Sequence, residues 1–271
     1  MKLDLTTPRV MAILNVTPDS FYAGSRTPDD AAIEARVREA LDEGASLIDV
    51  GGYSSRPGAD EVPLEEEWRR VERGVAAVRR IAPRMTVSVD TFRSEVVERT
   101  LGTFGEVVVN DISAGELDPA MFATVARHDL PYVAMHMKGT PQTMQSQTDY
   151  RRDIATEVVD YFRARVGEML AAGIRRERII LDPGFGFAKT AAQNFELLRE
   201  LHRLCDEGFP VLAGLSRKSM IYRTLGCTPA ESLPGTVALG WECLRQGARI
   251  LRVHDVREAA DTVQLFNAFR S

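Results

Sequence analysis

The sequence is poor in the residues that hold small extracellular or metal-stabilised proteins together. Only three of its 271 residues are cysteines, namely Cys205, Cys227 and Cys243, and no two of them form a CxxC pair. Four histidines are present, and no HxH pair follows the first apolar segment. These absences argue against a disulfide framework, a structural zinc site and the metal cage of a hydrolase. We therefore expect reduced thiols in a cytoplasmic protein.

Long apolar runs, basic runs and flexible linkers are missing as well. No stretch approaches the ~18 apolar residues that a membrane-spanning helix requires, and the first residues do not have the pattern of a signal peptide. The net charge is -5, and residues of both signs are interspersed without the basic run that follows a nucleic-acid backbone. The sequence thus predicts one domain, residues 1–271, that acts on a small-molecule substrate without a nucleic-acid or membrane partner.

Short apolar segments recur eight times along the chain. Each is too short for a helix, and the lack of strict alternation is typical of parallel strands buried on both faces. The segments are Val10–Leu14, Leu47–Val50, Thr86–Val89, Val107–Val109, Tyr132–Met135, Ile179–Leu181, Val211–Ala213 and Ile250–Val253. Eight strand–helix units predict an α/β fold, a single (β/α)₈ TIM barrel. An open doubly wound sheet is the competing layout, and the absence of GxGxxG after the first strand disfavours it.

Helical periodicity fills the intervals between these segments. One apolar stripe consists of Leu64, Trp68, Val71, Val75, Val78 and Ala82, and another of Ile154, Val158, Phe162, Val166 and Met169. Gly173 is the predicted C-cap of the second of these helices. The first helix is predicted to begin at Thr27-Pro28-Asp29-Asp30, which combines a capping residue, a proline in the first turn and an acidic start.

Polar residues follow nearly every predicted strand, at the end where β/α barrels carry their active sites. They are Asn15, Gly51-Gly52, Asp90, Asn110-Asp111, His136, Asp182, Ser216-Arg217-Lys218-Ser219 and His254-Asp255, with Arg252 just before the last pair. Any one of them can be a cap or a turn residue. Their coincidence on one rim predicts a functional site.

The acidic and amide residues of this rim suit a flat heterocycle. Asp90, Asn110 and Asp182 can accept hydrogen bonds from parallel N–H groups such as those of a guanine-like ring. Gly184 and Gly186 allow the backbone to pass close to such a ring. Metal binding is the other use of such acids, and it is disfavoured by the scarcity of histidine.

The cationic residues of the rim suit an anion. Arg217, Lys218 and Ser219 follow the seventh strand, and Arg252 and His254 close the eighth. The loops after these two strands are the usual phosphate site of β/α barrels. Cationic side chains with hydroxyl and backbone donors are what a phosphate or diphosphate needs.

Two long polar loops, after the first and second strands, complete the predicted mouth. They cover residues 15–27 and 51–63, so the predicted barrel has extended βα loops 1 and 2. Loops of this length in a compact domain are commonly lids. Phe21 either covers a bound ring or anchors its loop to the core.

Nine motifs resemble those of dihydropteroate synthases, in the order of that family. They are Asn15-Val16-Thr17-Pro18-Asp19-Ser20-Phe21, Asp49-Val50-Gly51-Gly52, Ser54-Ser55-Arg56-Pro57-Gly58, Ser88-Val89-Asp90-Thr91, Asn110-Asp111-Ile112, Met135-His136-Met137, Leu181-Asp182-Pro183-Gly184-Phe185-Gly186-Phe187, Ser216-Arg217-Lys218-Ser219 and Arg252-Val253-His254-Asp255-Val256. One such motif is weak evidence, whereas nine in sequence are specific. The resemblance implies condensation of (7,8-dihydropterin-6-yl)methyl diphosphate with 4-aminobenzoate, giving 7,8-dihydropteroate and diphosphate.

The resemblance also implies roles for individual residues. The pterin would be held by Asp90, Asn110, Asp182 and Lys218, with Met135 and Phe187 lining its slot. Asn15 would ligate a Mg²⁺ ion that shares the diphosphate with Arg56, Arg252 and His254, beside Val253. The 4-aminobenzoate site would comprise Phe21, Ser55, Pro57 and Ser219. Asp19, Arg56, Lys218, Arg252 and His254 are the implied catalytic residues, and the family suggests a homodimer and a sulfonamide target.

The sequence departs from the family pattern at three informative positions. Tyr53 stands where many members have Glu, Ser55 where many have Thr, and Ala23 where the first loop usually has a carboxylate. Two alternatives therefore stay open. One is a methyltetrahydrofolate-type pterin-binding methyltransferase, which has no reason to keep the cationic cluster. The other is a catalytically silent pterin-binding paralogue.

Overall fold

The computed structural model describes residues 3–17, 30–54 and 61–270, and within this part all eight predicted strands are present. The strands are β1 (Arg9–Asn15), β2 (Leu47–Gly51), β3 (Thr86–Asp90), β4 (Val108–Asp111), β5 (Tyr132–Met135), β6 (Ile179–Asp182), β7 (Leu212–Ala213) and β8 (Ile250–Val253). Their ends differ from the predicted ends by no more than two residues. Several polar residues expected just beyond a strand, including Asn15, Asp90 and Asp182, are instead its last residue.

The strands form one parallel sheet in the order β6-β5-β4-β3-β2-β1-β8-β7. A parallel bridge between Leu181 and Val211 connects the two outer strands of this order. The eight-stranded β/α barrel that the strand–helix alternation predicts is therefore confirmed, because β1 pairs with both β2 and β8 and the bridge joins β6 to β7.

Helices cover the outside of the barrel. They are α1 (Asp30–Asp42), α2 (Leu64–Ile81), α3 (Ser94–Phe104), α4 (Met121–His128), α5 (Ile154–Ala171), α6 (Ala191–Arg199), α7 (Leu201–Cys205), α8 (Ser219–Leu225), α9 (Leu233–Gln246) and α10 (Val256–Arg270). The predicted stripe of α5 is buried throughout, and that of α2 is buried at Val71, Val75 and Val78. The C-cap of α5 is Ala172, and the predicted cap Gly173 follows it with φ +93°, as the left-handed residue that ends the helix.

Side chains alternate between two apolar layers along each strand, as the period of a strand requires. Ile48 and Val50 of β2 face outward and pack in the large cluster between sheet and helices. Leu47 faces inward, where it packs with Met11, Val108 and Ile180 in a small apolar plug. This plug fills the barrel interior below the polar residues at the carboxyl ends of the strands.

Candidate active site

A cavity of about 890 Å³ opens at the carboxyl ends of the strands. The predicted site residues that line it are Asn15, Asp90, Gly186, Phe187, Ser216, Arg217, Lys218, Ser219, Arg252 and His254. They come from β1, β3 and β8, from the loops after β6, β7 and β8, and from the start of α8, which are remote from one another in sequence. The barrel thus brings the acidic and the cationic residues to one mouth.

Arg252 is the centre of the polar layer directly above the apolar plug. Its Nε donates to Asp49 Oδ2 at 2.6 Å, and its Nη2 donates to Asp90 Oδ2 at 2.6 Å. Asn110 Nδ2 donates to the same Asp49 oxygen at 3.1 Å. Burial alone would lower the pKa of Arg252, but the charges of Asp49 and Asp90 outweigh it and raise the pKa. The guanidinium therefore stays charged and fixed against two carboxylates.

Asp90 titrates near neutrality. Burial raises the pKa of its carboxyl group to about 7, against the opposing charge of Arg252. The nearby carboxylates of Asp49, Glu67 and Asp111 also contribute to this raised pKa. A carboxyl group poised in this range can either accept or donate a hydrogen bond at the mouth of the cavity.

Asp182 and Lys218 form a second pair of interacting opposite charges, in which Lys218 lines the cavity and Asp182 is buried. Burial raises the pKa of Asp182, and the charge of Lys218 opposes this shift. Burial lowers the pKa of Lys218 to about 8, and the charge of Asp182 opposes that shift in turn. Lys218 Nζ lies 4.6 Å from the centre of the Phe187 ring and donates to the Phe185 carbonyl oxygen. The side chain of Lys218 therefore packs against the loop that follows β6.

An apolar wall stands beside these charges. Met135 and Phe187 belong to a small cluster with Ile112, Met137, Met144, Ala188 and Phe92. The predicted lining residues Met135 and Phe187 are thus brought together, next to the buried Asn110 and Asp182. A flat ring bordered by acids on its edge and by apolar groups on its face fits this arrangement.

The cationic cluster differs from the prediction in two respects. Arg217 adopts φ +54° and forms a bidentate ion pair with Asp255, with Nη2 2.6 Å from Oδ1. Its remaining amino group donates to the carbonyl oxygens of Pro229 and Ala230, so its charge ties two loops together and is not free for an anion. Arg252 likewise lies among the acids, so the predicted acidic and cationic sectors share this residue.

The remaining predicted site residues do not all contribute a side chain to the cavity. His254 lines the cavity, and its backbone N–H donates to Ser216 Oγ at 3.2 Å. The Val253 side chain packs in the outer apolar cluster, because it alternates with Arg252 along β8. It therefore contributes no side-chain group to the cavity. Asp19, Phe21, Ser55, Arg56 and Pro57 lie outside the described residues, together with most of the extended βα loops 1 and 2.

Several buried polar residues support this site and were not singled out from the sequence. Asp49 anchors Arg252 and Asn110, and its Oδ1 has no hydrogen-bond partner among the described residues, nor has Ser88 Oγ on the neighbouring strand. Glu67 is fully buried and accepts from Thr91 Oγ1 and Arg93 Nη1, both at 2.6 Å. The inward period of β2, shared by Leu47 and Asp49, is the signal that points to Asp49.

The donor set limits how a metal ion can bind. Among residues 3–17, 30–54 and 61–270, no group of three or more His, Cys, Asp or Glu side chains is arranged to hold a metal ion. Asn15 Oδ1 lies at the carboxyl end of β1, 3.3 Å from where a side chain on Gly51 would begin.

None of the described helices is both long and apolar enough to span a membrane.

Comparisons with known proteins agree with this geometry. Residues 11–254 match the family model described as pterin binding enzyme. The chain is 42% identical over 267 residues to the dihydropteroate synthase of Haemophilus influenzae, covering 98% of this chain and 95% of the relative. It superimposes with a TM-score of 0.91 on Xanthomonas albilineans dihydropteroate synthase with 4-aminobenzoic acid, at 40% identity over 99% of this chain and 95% of the other. A Yersinia pestis dihydropteroate synthase in complex with a sulfonamide drug gives a TM-score of 0.90 at 38% identity, covering 99% and 96% of the two chains. This chain therefore belongs to the pterin-binding enzyme family, among its dihydropteroate synthases.

Proposed function

We propose that this chain condenses (7,8-dihydropterin-6-yl)methyl diphosphate with 4-aminobenzoate, releasing 7,8-dihydropteroate and diphosphate, at the mouth of the barrel. The observation that carries the proposal is the contact between Arg252 and Asp90, 2.6 Å apart, with Lys218 lining the same cavity and interacting with the buried Asp182. This joins groups suited to a heterocycle with groups suited to a diphosphate. The 4-aminobenzoic acid and the sulfonamide drug bound to the relatives support a small-molecule site of this kind.

The pterin ring binds in the acidic part of the cavity. Asp182 and Asp90 accept hydrogen bonds from its N–H edge, and Asn110 donates or accepts through its amide. Each charge-assisted hydrogen bond to a buried carboxylate contributes about 1.5–3 kcal/mol. Met135 and Phe187 form the apolar wall of the slot, and Lys218, held over the Phe187 ring, lies beside it. Binding therefore combines a polar edge with an apolar face.

The diphosphate faces His254, Arg252 and Lys218, with Arg56 from the second loop. The residues present fit the implied Mg²⁺, because the Asn15 amide oxygen is a hard ligand and lines the same cavity. Magnesium keeps several ligands from substrate phosphates and water, which agrees with a site that offers it few protein groups. When bound, the ion would neutralise part of the charge on the leaving diphosphate.

The second substrate binds on the outer side of the cavity. Ser219, the first residue of α8, lines this part, and Phe21, Ser55 and Pro57 of the two lids complete it. Asp19 of the first loop is proposed as a catalytic residue, as the family resemblance implies. The hydroxyl groups suit the carboxylate of 4-aminobenzoate, and the ring of Phe21 suits its arene.

The chain's own residues carry the chemistry by charge stabilisation and positioning. The bond between the pterin methylene carbon and the diphosphate oxygen breaks first, and both electrons leave on the oxygen. Arg252, His254 and Lys218 stabilise the charge that develops there. The amine nitrogen of 4-aminobenzoate then bonds to the methylene carbon and releases a proton. A neutral arylamine is already nucleophilic, so a strong general base is not required, and orientation by the site supplies the rest.

The test is a product assay with purified protein, the pterin diphosphate, Mg²⁺ and labelled 4-aminobenzoate. We expect labelled dihydropteroate and an equal amount of diphosphate. Asp182→Asn should abolish most of the activity, whereas Asp160→Asn, on the exposed face of α5, should retain it. If neither the wild type nor the Asp160→Asn control makes dihydropteroate, the proposal is contradicted. Methyl transfer from methyltetrahydrofolate would instead support the methyltransferase alternative.

We also propose a homodimer that works in the cytoplasm and is inhibited by sulfonamides. Leu265 and Phe269 on α10 are 65% and 78% exposed, and the Phe269 ring contacts Trp241 of α9, which gives an apolar face for a second copy. Light scattering should give twice the chain mass, and Phe269→Glu should give the monomer.

All three cysteines are free, in agreement with a reducing compartment. Sulfonamide inhibition should be relieved by raising the 4-aminobenzoate concentration.

A further inference from the structure

The loop between β6 and α6, residues 183–190, carries the part of the site that borders the pterin slot. Its backbone is bent by left-handed residues at alternate positions, Gly184 at φ +67°, Gly186 at +82° and Ala188 at +49°. Alanine in this region is strained, so the loop does not hold this shape by local preference alone. Contacts from elsewhere in the fold must fix it.

Two lysines hold this loop, Lys218 from outside it and Lys189 from within it. On the cavity side, Lys218 donates to the Phe185 carbonyl oxygen. On the buried side, Lys189 Nζ lies 3.0 Å from the Gly184 carbonyl oxygen and 3.0 Å from that of Phe187. The two carbonyls held by Lys189 therefore flank the one held by Lys218.

Lys189 is joined to the barrel through His136. Its Nζ lies 2.9 Å from His136 Nδ1, and the two side chains are only 4% and 2% exposed. All three contacts are satisfied in either protonation state. An ammonium donates to all three acceptors, whereas a neutral amine donates to the two carbonyls and accepts from Nδ1–H.

His136 is itself firmly held. It directly follows β5, and its backbone N–H donates to the Asp182 carbonyl oxygen at 3.0 Å. Its ring packs edge to face against Tyr161, with the centroids 4.7 Å apart. The chain of contacts therefore runs from the barrel through His136 and Lys189 to the loop.

We infer that Lys189, set against His136, is a positioning residue for the pterin slot. It fixes the carbonyls of Gly184 and Phe187, and so sets where the Phe187 ring and the Phe185 carbonyl meet Lys218. This inference rests on the proposed function, because the slot is the one assigned there to the pterin. Lys189 is buried and does not line the cavity, so its effect passes through the loop.

Lys189→Met keeps the length of the side chain and removes all three contacts. We expect the affinity for 6-hydroxymethyl-7,8-dihydropterin to fall roughly 10- to 100-fold, as for the loss of one charge-assisted hydrogen bond, with a parallel rise in KM for the pterin diphosphate and a smaller change in kcat. Arg176→Met is the matched control, since Arg176 Nη2 donates to the Glu207 carbonyl oxygen and its guanidinium lies over the Phe209 ring, before β6 and so at the other end of that strand from this loop.

Hydrogen exchange gives a readout that does not depend on turnover. The amide of Gly184 donates to Asp182 Oδ1 at 2.8 Å and that of Gly186 to Asn194 Oδ1 at 2.7 Å. In Lys189→Met these amides should exchange at least about tenfold faster, while those of α9 and α10 keep their protection. Exchange and pterin affinity both within twofold of wild type would overturn the inference.

A pair of substitutions at His136 decides the question if Lys189→Met does not fold. His136→Gln keeps a group that can accept or donate, so it should retain pterin affinity to within a few fold, whereas His136→Leu should lose about tenfold or more. Equal affinity in the two would overturn the inference. A wild-type protein that makes no dihydropteroate would contradict the proposed function alone, because the exchange and pterin-binding results stand apart from turnover.

Discussion

Replacing Asp49 by asparagine should weaken the polar layer beneath the cavity and change the pH dependence of pterin binding. Asp49 Oδ2 accepts from Arg252 Nε at 2.6 Å and from Asn110 Nδ2 at 3.1 Å, in a fully buried side chain. Breaking a buried ion pair costs about 3–5 kcal/mol when one partner is left alone. Arg252 keeps Asp90, at 2.6 Å, after this substitution. The smaller value for a hydrogen bond to a charged group therefore applies, about 1.5–3 kcal/mol.

Thermal and chemical denaturation measure the first effect. A loss of this size lowers the Tm by roughly 3–10 °C for a chain of this length. Asp129→Asn is the matched control, because Asp129 also accepts from two arginines, Arg175 and Arg178, but is 43% exposed. Exposed ion pairs contribute about 0–1 kcal/mol, so the control should lose much less stability.

Titration of pterin binding against pH measures the second effect. The charge of Asp49 is one cause of the raised pKa of Asp90, so its removal should move the acid limb of pterin binding to lower pH. Equal losses of stability in Asp49→Asn and Asp129→Asn, or an acid limb that stays in place or moves to higher pH, would refute this reasoning.

Three other predictions concern titration, backbone strain and the metal ion. Since the pKa of Asp90 is about 7 and that of Lys218 about 8, kcat/KM should fall below pH 7 as the Asp90 carboxylate is protonated and above pH 8 as Lys218 loses its proton; a flat profile from pH 6 to 9 would contradict it. Gly184→Ala should lower the free energy of unfolding by at least about 2 kcal/mol, because its Cβ would lie 2.1 Å from the His136 carbonyl oxygen, whereas Gly102→Ala, in open space on α3, should be neutral or stabilising in denaturant titrations. Asn15→Ala should raise the Mg²⁺ concentration that gives half-maximal activity by roughly tenfold or more. Pterin binding in the absence of metal, measured by calorimetry, should not change. An unchanged Mg²⁺ requirement would exclude Asn15 as a ligand of the ion.

Much of the fold follows from local patterns in the sequence. Each strand is an apolar segment of four to seven residues except β7, which has two, and the repetition of strand and helix leaves few arrangements besides a barrel. The carboxyl ends of parallel strands meet at one edge, so Asp90, Asp182 and Arg252 were placed together from their positions after or within strands. The predicted ends of the strands are less accurate than their positions. Polar residues such as Asp90 continue the hydrogen-bonded ladder of the sheet when their side chains have a buried partner.

The pairing of charges did not follow from the sequence. Arg217 and Lys218 are neighbours and both line the cavity, yet the Arg217 guanidinium pairs with Asp255, whereas Lys218 donates to the Phe185 carbonyl oxygen. Lys189 and His136 are 53 residues apart and meet only because β5 and β6 are adjacent. Spacing along the chain reports which residues share an edge of the sheet, and tertiary packing decides which of them bind one another.

The most direct measurement is a crystal structure of this chain with a 6-methyl-diphosphate dihydropterin. We expect the bicyclic ring against Met135 and Phe187, its N–H groups on the Asp182 carboxylate, and the phosphorus atoms on the side of Arg252 and His254. Electron density for the ligand anywhere outside this mouth, or a ring turned so that its N–H groups miss Asp182, would contradict the proposed function.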